Sequence, residues 1–279
     1  MIQLLRIELY KIFKRPRTYI SFGIVTAITL IIQLAMVSGG REFISFCLQG
    51  ITEQFDVQGK IVNGYLVAYI ILQSLLLQIP LLVALVAGDT LAGEANTGTL
   101  RLILTKPITR TKLVLIKFFS SFIYTILLIL WLAFMGLFVS LFIFGAGDMI
   151  NMKSDAIVMI LQHDVLWRYA AAFLFAVLAM TTIASLSILL SAFADNSIGP
   201  IIATMGVVVV LTILSNLELP LFNIIKPYLM TTHMVGWKGF FDDPVPYGAI
   251  GRSAVVLSAY TIAFLGATIL YFNKKDIKS

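Results

Sequence analysis

The stretch GDTLAGEANTGTLRLILTKPITRTKLVLIKF, residues 88–118, is a long polar interruption in a chain whose other segments are mostly lipid-soluble. It carries acidic residues, a Gly-Thr pair, a proline and five cations, whereas the sequence on either side is apolar. Of the 279 residues, 59% are apolar and 12% are charged. Soluble domains have about a quarter of their residues charged, so this chain must place most of its surface in lipid.

Apolar runs flank this stretch on both sides and recur along the chain. A run of about 20 apolar residues is long enough to cross a bilayer as a helix. Six such runs predict an all-α membrane protein in which residues 1–279 form a single transmembrane domain. The predicted spans are 18–38, 64–87, 118–144, 169–193, 198–215 and 253–272.

The distribution of cations predicts the orientation. If the N-terminus is cytoplasmic, 13 of the 20 Lys and Arg residues lie on the inner side, in 1–17, 88–117 and 273–279. The positive-inside rule therefore predicts that both termini are cytoplasmic. We expect a multi-pass protein of the plasma membrane of a bacterial cell. Cations beside membrane spans also account for the net charge of +6, so no nucleic acid partner is expected.

Two further segments have an amphipathic or mixed pattern. Residues 2–13 place apolar side chains at helical spacing, which predicts an interfacial helix along the inner membrane surface, ended by Pro16. The alternative is that this helix simply continues the first span. Residues 221–241 are too apolar for a free loop and too short to span, so we expect short helices that dip into the outer face.

Several kinds of chemistry are missing from the sequence. It has no G-x-x-x-x-G-K-[ST] phosphate loop, so we expect neither P-loop ATP hydrolysis by this chain nor a cofactor of its own. His163 and His233 lie in different predicted loops, which argues against a metal site. The lone Cys47 cannot form an intrachain disulfide. The sequence therefore predicts a protein that is not an enzyme.

The predicted spans also lack the ionisable relay of an ion-coupled carrier, since only Arg168 and Arg252 lie at their borders. The most polar side chains at depth are Gln33, Gln73 and Gln78. They are candidates for a substrate path, and the alternative is that they form hydrogen bonds between helices.

A transporter with neither an ATPase nor an ion relay must receive its energy from a partner protein at the cytoplasmic face. Within 88–117 we expect a short helix that begins at Asp89 or Gly93, is stopped by Pro107, and has an apolar body. That body comprises Leu100, Leu102, Ile103 and Leu104. Arg110, Lys112 and Lys117 then lead into the third span as predicted inner-surface anchors.

The run GEANTGTLRLILTKPITRTKLVLIKF resembles the signature between the second and third spans of ABC-2 type permeases, the membrane subunits of ABC exporters. The matching residues are Glu94, Gly98, Thr99, Leu100, Pro107, Arg110 and Lys117. One departure is that Ala95 and Asn96 follow Glu94 where the family often has a second acid. Six spans, the N-terminal helix and the apolar loop before the last span extend the resemblance over the whole chain.

The resemblance implies a coupling helix that docks in a groove of an ABC ATPase subunit. Its expected coupling residues are Glu94, Gly98, Thr99, Leu100, Arg101, Pro107 and Arg110. It also implies a homodimer or related heterodimer of permease subunits with two ATPase subunits, which would bind the ATP and magnesium. Glu94 and Arg101 would set the register on the partner.

The expected function is thus the permease subunit of an ATP-driven exporter that moves an amphipathic or hydrophobic substrate such as a peptide, a lipid or a drug. The alternative is a self-contained channel or carrier without an ATPase partner. A third class is a membrane scaffold or intramembrane enzyme, which would show neither flux nor coupling to an ATPase.

Overall fold

The computed structural model describes residues 2–52, 62–99, 108–152, 157–217 and 224–275. Helices dominate, and two short strands form an antiparallel hairpin in which Met149 pairs with Ile160. The α-helices are α1 (Ile2–Lys14), α2 (Pro16–Thr52), α3 (Gly64–Ser74), α4 (Gln78–Ala87), α5 (Asp89–Asn96), α6 (Arg110–Ala133), α7 (Val139–Phe144), α8 (Gln162–Phe193), α9 (Ile198–Asn216), α10 (Met230–Met234) and α11 (Tyr247–Lys274). The strands are β1 (Met149–Met152) and β2 (Ile157–Ile160). The all-α class is confirmed, with 85% helix and 2% strand.

Five helices among the described residues are long and apolar enough to cross a membrane, which indicates a membrane protein. They are Pro16–Gly40, Gln162–Phe193, Ile198–Asn216, Tyr247–Lys274 and Arg110–Phe144, in which the π-helix Phe134–Phe138 joins α6 to α7. The remaining predicted span, 64–87, is divided into α3 and α4, which are bent by 57° relative to each other. The count reaches six if this bent pair is one span.

Pro80 explains the break in the second predicted span. A proline ring clashes with the carbonyl four residues earlier and cannot donate a backbone hydrogen bond. The carbonyl in question belongs to Leu76, inside the non-helical turn between α3 and α4. The helix is therefore broken at the turn that contains the carbonyl group with which the Pro80 ring would clash.

Several predicted span boundaries were too narrow. α2 continues to Thr52, beyond the predicted end of the first span at residue 38, and α6 begins at Arg110 rather than at residue 118. α8 begins at Gln162 rather than at residue 169. Hydropathy marks only the lipid-soluble part of a helix, whereas backbone hydrogen bonding continues through polar residues until a cap or a proline ends it.

α8 lies at the centre of the bundle. In its most apolar stretch 61% of the residues are buried, compared with 17% in α9 and 17% in α11. Near its start, the fully buried Tyr169 donates a hydrogen bond to the Tyr65 carbonyl oxygen at 2.5 Å. The ring of Tyr169 also packs edge-on against Phe241, with centroids 4.8 Å apart. The aromatic cluster of Tyr65, Tyr69, Tyr169, Trp237 and Phe241 closes this end of the bundle.

The segment before α11 folds as short helices, as expected. It comprises the 3₁₀ helices Lys226–Tyr228 and Val235–Phe241 on either side of α10. Trp237 and Phe241 are buried in it, so the apolar residues that excluded a free loop are used for packing. Arg168 fixes its end by donating to the Asp242 carbonyl at 2.7 Å. Residues 221–223 of the expected segment lie outside the described residues.

The N-terminal helix, the segment after α4 and the end of α11 meet at the opposite end of the bundle. Lys11 lies 2.8 Å from Glu94, and Arg110 donates to the carbonyl oxygen of Phe272 at 3.0 Å. α1 ends at Lys14 and Pro16 is the first residue of α2, so the helix is interrupted at Arg15. That both termini face the cytoplasm stays a prediction.

We predict that the two ends of the bundle lie on opposite sides of the membrane. In a variant with Cys47 replaced by serine, single cysteines at the exposed positions Asn96 and Lys112 should react with an impermeant maleimide from one side. A cysteine at the exposed Asp243 should react from the other side. Labelling of Lys112→Cys and Asp243→Cys from the same side would contradict this topology.

Candidate functional site

A cluster of charged side chains lies where α1, α5 and the start of α6 meet, at the end of the bundle that contains the predicted coupling segment. We call it the charged cluster. It comprises the carboxylates of Glu8, Asp89 and Glu94 and the cations of Lys11, Arg15, Arg17 and Lys117. These residues are distant in sequence, so the cluster exists only in the folded chain.

Lys117 is the centre of the charged cluster and is fully buried. Its ammonium lies 2.7 Å from Glu94 Oε2 and 3.2 Å from Glu8 Oε2, and it donates to the Thr90 carbonyl oxygen at 2.7 Å. The contacts with Glu8 and Thr90 are hydrogen bonds, whereas the contact with Glu94 Oε2 is an ion pair without hydrogen-bond geometry. Burying this charge is tolerable only because two carboxylates and a carbonyl surround it.

Lys11 and the two arginines complete the charged cluster from α1 and the start of α2. Lys11 lies 2.7 Å from Glu8 and 2.8 Å from Glu94, so both carboxylates are shared between two lysines. Asp89 pairs with Arg15 and lies 2.8 Å from Arg17. The charges of α5 are thus neutralised by residues near the N-terminus.

Gly93 permits the position of the Asp89 carboxylate. Asp89 lies one helical turn earlier in α5, and a Cβ atom added to Gly93 would overlap its side-chain oxygen. At the other face of α5, Ser191 of α8 accepts from the backbone nitrogen of Ala92 at 2.8 Å and donates to the Gly88 carbonyl at 2.5 Å. α5 is therefore held between the charged cluster and the central helix.

The face that α1 buries differs from the expected one. Glu8, a charged residue between the apolar positions of this helix, is 8% exposed, whereas Ile2, one of those apolar positions, is 84% exposed. The reason is that Glu8 pairs with Lys117, whose burial requires a nearby carboxylate. That α1 lies along a membrane surface stays a prediction.

The environment of Glu8 and Lys11 shifts both groups toward their charged forms. Burial alone would raise the pKa of Glu8, but the Lys117 and Lys11 ammonium groups outweigh it and lower that pKa below its usual 4.5. Burial likewise would lower the pKa of Lys11, but the Glu8 and Glu94 carboxylates outweigh it and raise that pKa above 10.5. Each group therefore stabilises the ionised state of the other.

The structure separates the predicted coupling residues. Glu94 is 3% exposed and its carboxylate pairs within the chain, whereas Gly98 and Thr99 are exposed. Gly98 has a φ of 71° and ends α5 in the left-handed conformation. Leu100, Arg101 and Pro107 lie outside the described residues, as do Leu102, Ile103 and Leu104.

Arg110 and Lys117, predicted as surface anchors, have other roles within the bundle. Arg110 is the first residue of α6, and its guanidinium donates to the carbonyl oxygens of Phe272 at 3.0 Å and Lys275 at 2.6 Å. It therefore caps the C-terminal end of α11. Lys117 is fully buried instead of reaching the surface, so of the three expected anchors only Lys112 is exposed.

The three glutamines have different environments. Gln33 is buried and donates to the Met135 carbonyl at 2.8 Å and to the Ser140 hydroxyl at 2.9 Å. These bonds join α2 to the π-helix Phe134–Phe138 and to α7. Gln73 accepts a hydrogen bond from Lys238 at 2.8 Å. Gln78 has a buried side-chain oxygen without a partner among the described residues. The contacts of Gln33 fit the interhelical alternative.

Sequence reasoning missed most of the charged cluster, although two signals were present. Lys117 is a lone cation inside the run VLIKFFSS, where a buried lysine requires a partner. Glu8, Lys11 and Arg15 are spaced three and four residues apart, a spacing that would bring their side chains together on one face of a continuous helix. Within the described residues, no group of three or more His, Cys, Asp or Glu side chains is placed to hold a metal ion.

A family model described as a protein of unknown function, DUF2705, matches residues 18–278. The chain belongs to the DUF2705 family. No curated protein matches the chain. The charged cluster of this DUF2705 protein thus joins Asp89, Glu94 and Lys117, inside the matched range, to four partners that precede it.

We predict that Lys117→Met destabilises the protein by about 3–5 kcal/mol, because the substitution leaves two buried carboxylates without their shared cation. Lys112→Met is the matched control, since this lysine lies on the same helix but is exposed. Unfolding of the purified protein in detergent would measure both. Equal stability of the two variants would contradict a central role for the buried pairs.

We also predict a dependence of stability on pH that originates in Glu8 and Lys11. The lowered pKa of Glu8 contributes stability above pH 4.5 that is lost as the pH falls through the lowered value. The raised pKa of Lys11 contributes stability below pH 10.5 that is lost as the pH rises through the raised value. Glu8→Gln should weaken the acid-side loss in unfolding experiments, whereas Asp243→Asn, at an exposed position, should not.

Proposed function

We propose that this DUF2705 protein is the membrane-spanning permease subunit of an ATP-driven exporter of the ABC-2 type. In this proposal two permease subunits, identical or related, assemble with two ATPase subunits that bind ATP and magnesium. The substrate would be amphipathic or hydrophobic, such as a peptide, a lipid or a drug. The cytoplasmic side would be the end that carries the charged cluster.

The observation that carries the proposal is that both flanks of residues 97–109 are fastened to the bundle. On one flank, Glu94 of α5 pairs with Lys117 of α6 and with Lys11 of α1. On the other flank, Arg110 binds the C-terminal carbonyl oxygens of α11. A partner that moves this segment would therefore move four helices together.

Buried pairs suit such a connection better than surface pairs do. Exposed ion pairs contribute little to stability, because water readily solvates the two charges when they separate. Separating a buried pair leaves an uncompensated charge. Lys117 is fully buried and Glu94 is 3% exposed, so their link resists being pulled apart. In the proposed mechanism Glu94 fixes the coupling segment to the bundle, and the contact with the ATPase is made by the residues after Asn96.

Gly98 gives a test of the proposal that leaves the charged cluster intact. Gly98→Pro should redirect the chain after α5, because proline cannot adopt the φ of 71° found there. We expect loss of co-purification with the proposed ATPase subunit, or ATP turnover that no longer responds to substrate. Leu100→Asp should act similarly, because it places a charge in the expected apolar docking surface.

Gly145→Pro is the matched control, since Gly145 has a φ of 78° and ends a helix at the opposite end of the bundle. It should retain co-purification. Undiminished ATPase binding and coupling in both Gly98→Pro and Leu100→Asp would overturn the docking role of this segment. Substrate flux through liposomes that contain this chain alone would support the alternative of a self-contained channel or carrier.

A further inference from the structure

A cavity of about 250 Å³ lies beside the break between α3 and α4. We call it the bend cavity. Most of its lining is apolar and includes Leu75, Ile79, Leu132, Ala176, Met180 and Val208. An engineered apolar cavity of about 150 Å³ in another protein takes up benzene, so the bend cavity has room for a chain of several methylene groups.

One hydroxyl group in the lining of the bend cavity lacks a partner. Thr231 of α10 is 5% exposed, and its side-chain oxygen makes no hydrogen bond to any described residue. Buried hydroxyls in proteins are nearly always hydrogen-bonded, because an unpaired one has lost its water without replacement. A ligand with an oxygen acceptor would satisfy Thr231.

A cation borders the same cavity. Lys238, in the 3₁₀ helix Val235–Phe241, donates to Gln73 Oε1 at 2.8 Å and lines the bend cavity. No carboxylate among the described residues pairs with it, in contrast to the lysines of the charged cluster. The Lys238 side chain is half-buried, and this burial lowers its pKa because it removes part of the hydration of the ammonium group. An anion at this position would restore the missing solvation.

We propose that the bend cavity binds an amphipathic anion, with its acyl chain among the apolar side chains and its headgroup at the Lys238 ammonium and the Thr231 hydroxyl. Both a free fatty acid and an anionic phospholipid of the surrounding bilayer have this chemistry. The proposal concerns a single chain and is independent of any ATPase partner.

Trp237 provides a reporter, because it lines the bend cavity and its ring centroid lies 5.9 Å from the Lys238 ammonium. Bromine atoms quench indole fluorescence on contact. The experiment uses the full chain with Trp131→Phe and Trp167→Phe, in nanodiscs of zwitterionic phospholipid, titrated with dibrominated stearate or with its neutral methyl ester. We expect saturable quenching by the carboxylate.

Two substitutions separate site binding from partitioning into the bilayer. Lys238→Gln should weaken the apparent affinity for the carboxylate about tenfold and leave the methyl ester unchanged, since a hydrogen bond to a charged group is worth about that factor. Ala176→Phe should abolish saturable quenching by filling the cavity. Leu174→Phe, which adds the same ring to the lipid-facing side of α8, should not.

A second arm identifies the source of the ligand. Nanodiscs with brominated phosphatidylglycerol, and no added fatty acid, should quench Trp237 more in wild type than in Lys238→Gln if the bilayer supplies the ligand. Brominated phosphatidylcholine is the control. If the variant with Trp131→Phe and Trp167→Phe folds poorly, the protein with all three tryptophans is used instead. The quenching assigned to Trp237 is then the part of the total quenching that disappears in Ala176→Phe. Quenching that is unsaturable and equal in all variants, in both arms, would overturn the proposal.

Discussion

The pairing of Lys117 with Glu8 and Glu94 is the interaction on which one end of this protein depends. A fully buried ammonium group has lost its hydration and must recover it from carboxylates and carbonyl oxygens. One carboxylate comes from α1 and the other from α5, so the lysine determines where both helices lie. The positions of α1 and α5 therefore follow from a single charge at the start of α6.

The opposite end is held by a different kind of interaction. There the aromatic cluster around Tyr169 joins α3, α8 and the 3₁₀ helix Val235–Phe241, and Arg168 binds the carbonyl oxygens at the end of that helix. Aromatic packing contributes through buried area and depends little on charge. The aromatic packing of this end should therefore change little with pH or ionic strength.

Sequence patterns predict the apolar centres of the spans because lipid solubility is a local property of a run of residues. The ends of the helices were missed where polar residues continue the helix, as at Arg110 and Gln162. The break at Leu75–Leu77 was missed because Pro80 was treated as part of a continuous apolar run. Glu94 was predicted to set the register on a partner subunit, but its ion-pair partners within the chain lie 83 and 23 residues away, and no local pattern contains such distances.

The two ends meet in the second predicted span. α4 continues into α5, which the charged cluster holds, whereas α3 carries Tyr65 and Tyr69 of the aromatic cluster. Because α3 and α4 are held at different ends of the bundle, a movement of one end relative to the other would change the angle at the break between these two helices. The bend cavity borders that break and is lined by residues of both halves, so a change in the angle between α3 and α4 would change the shape of the cavity.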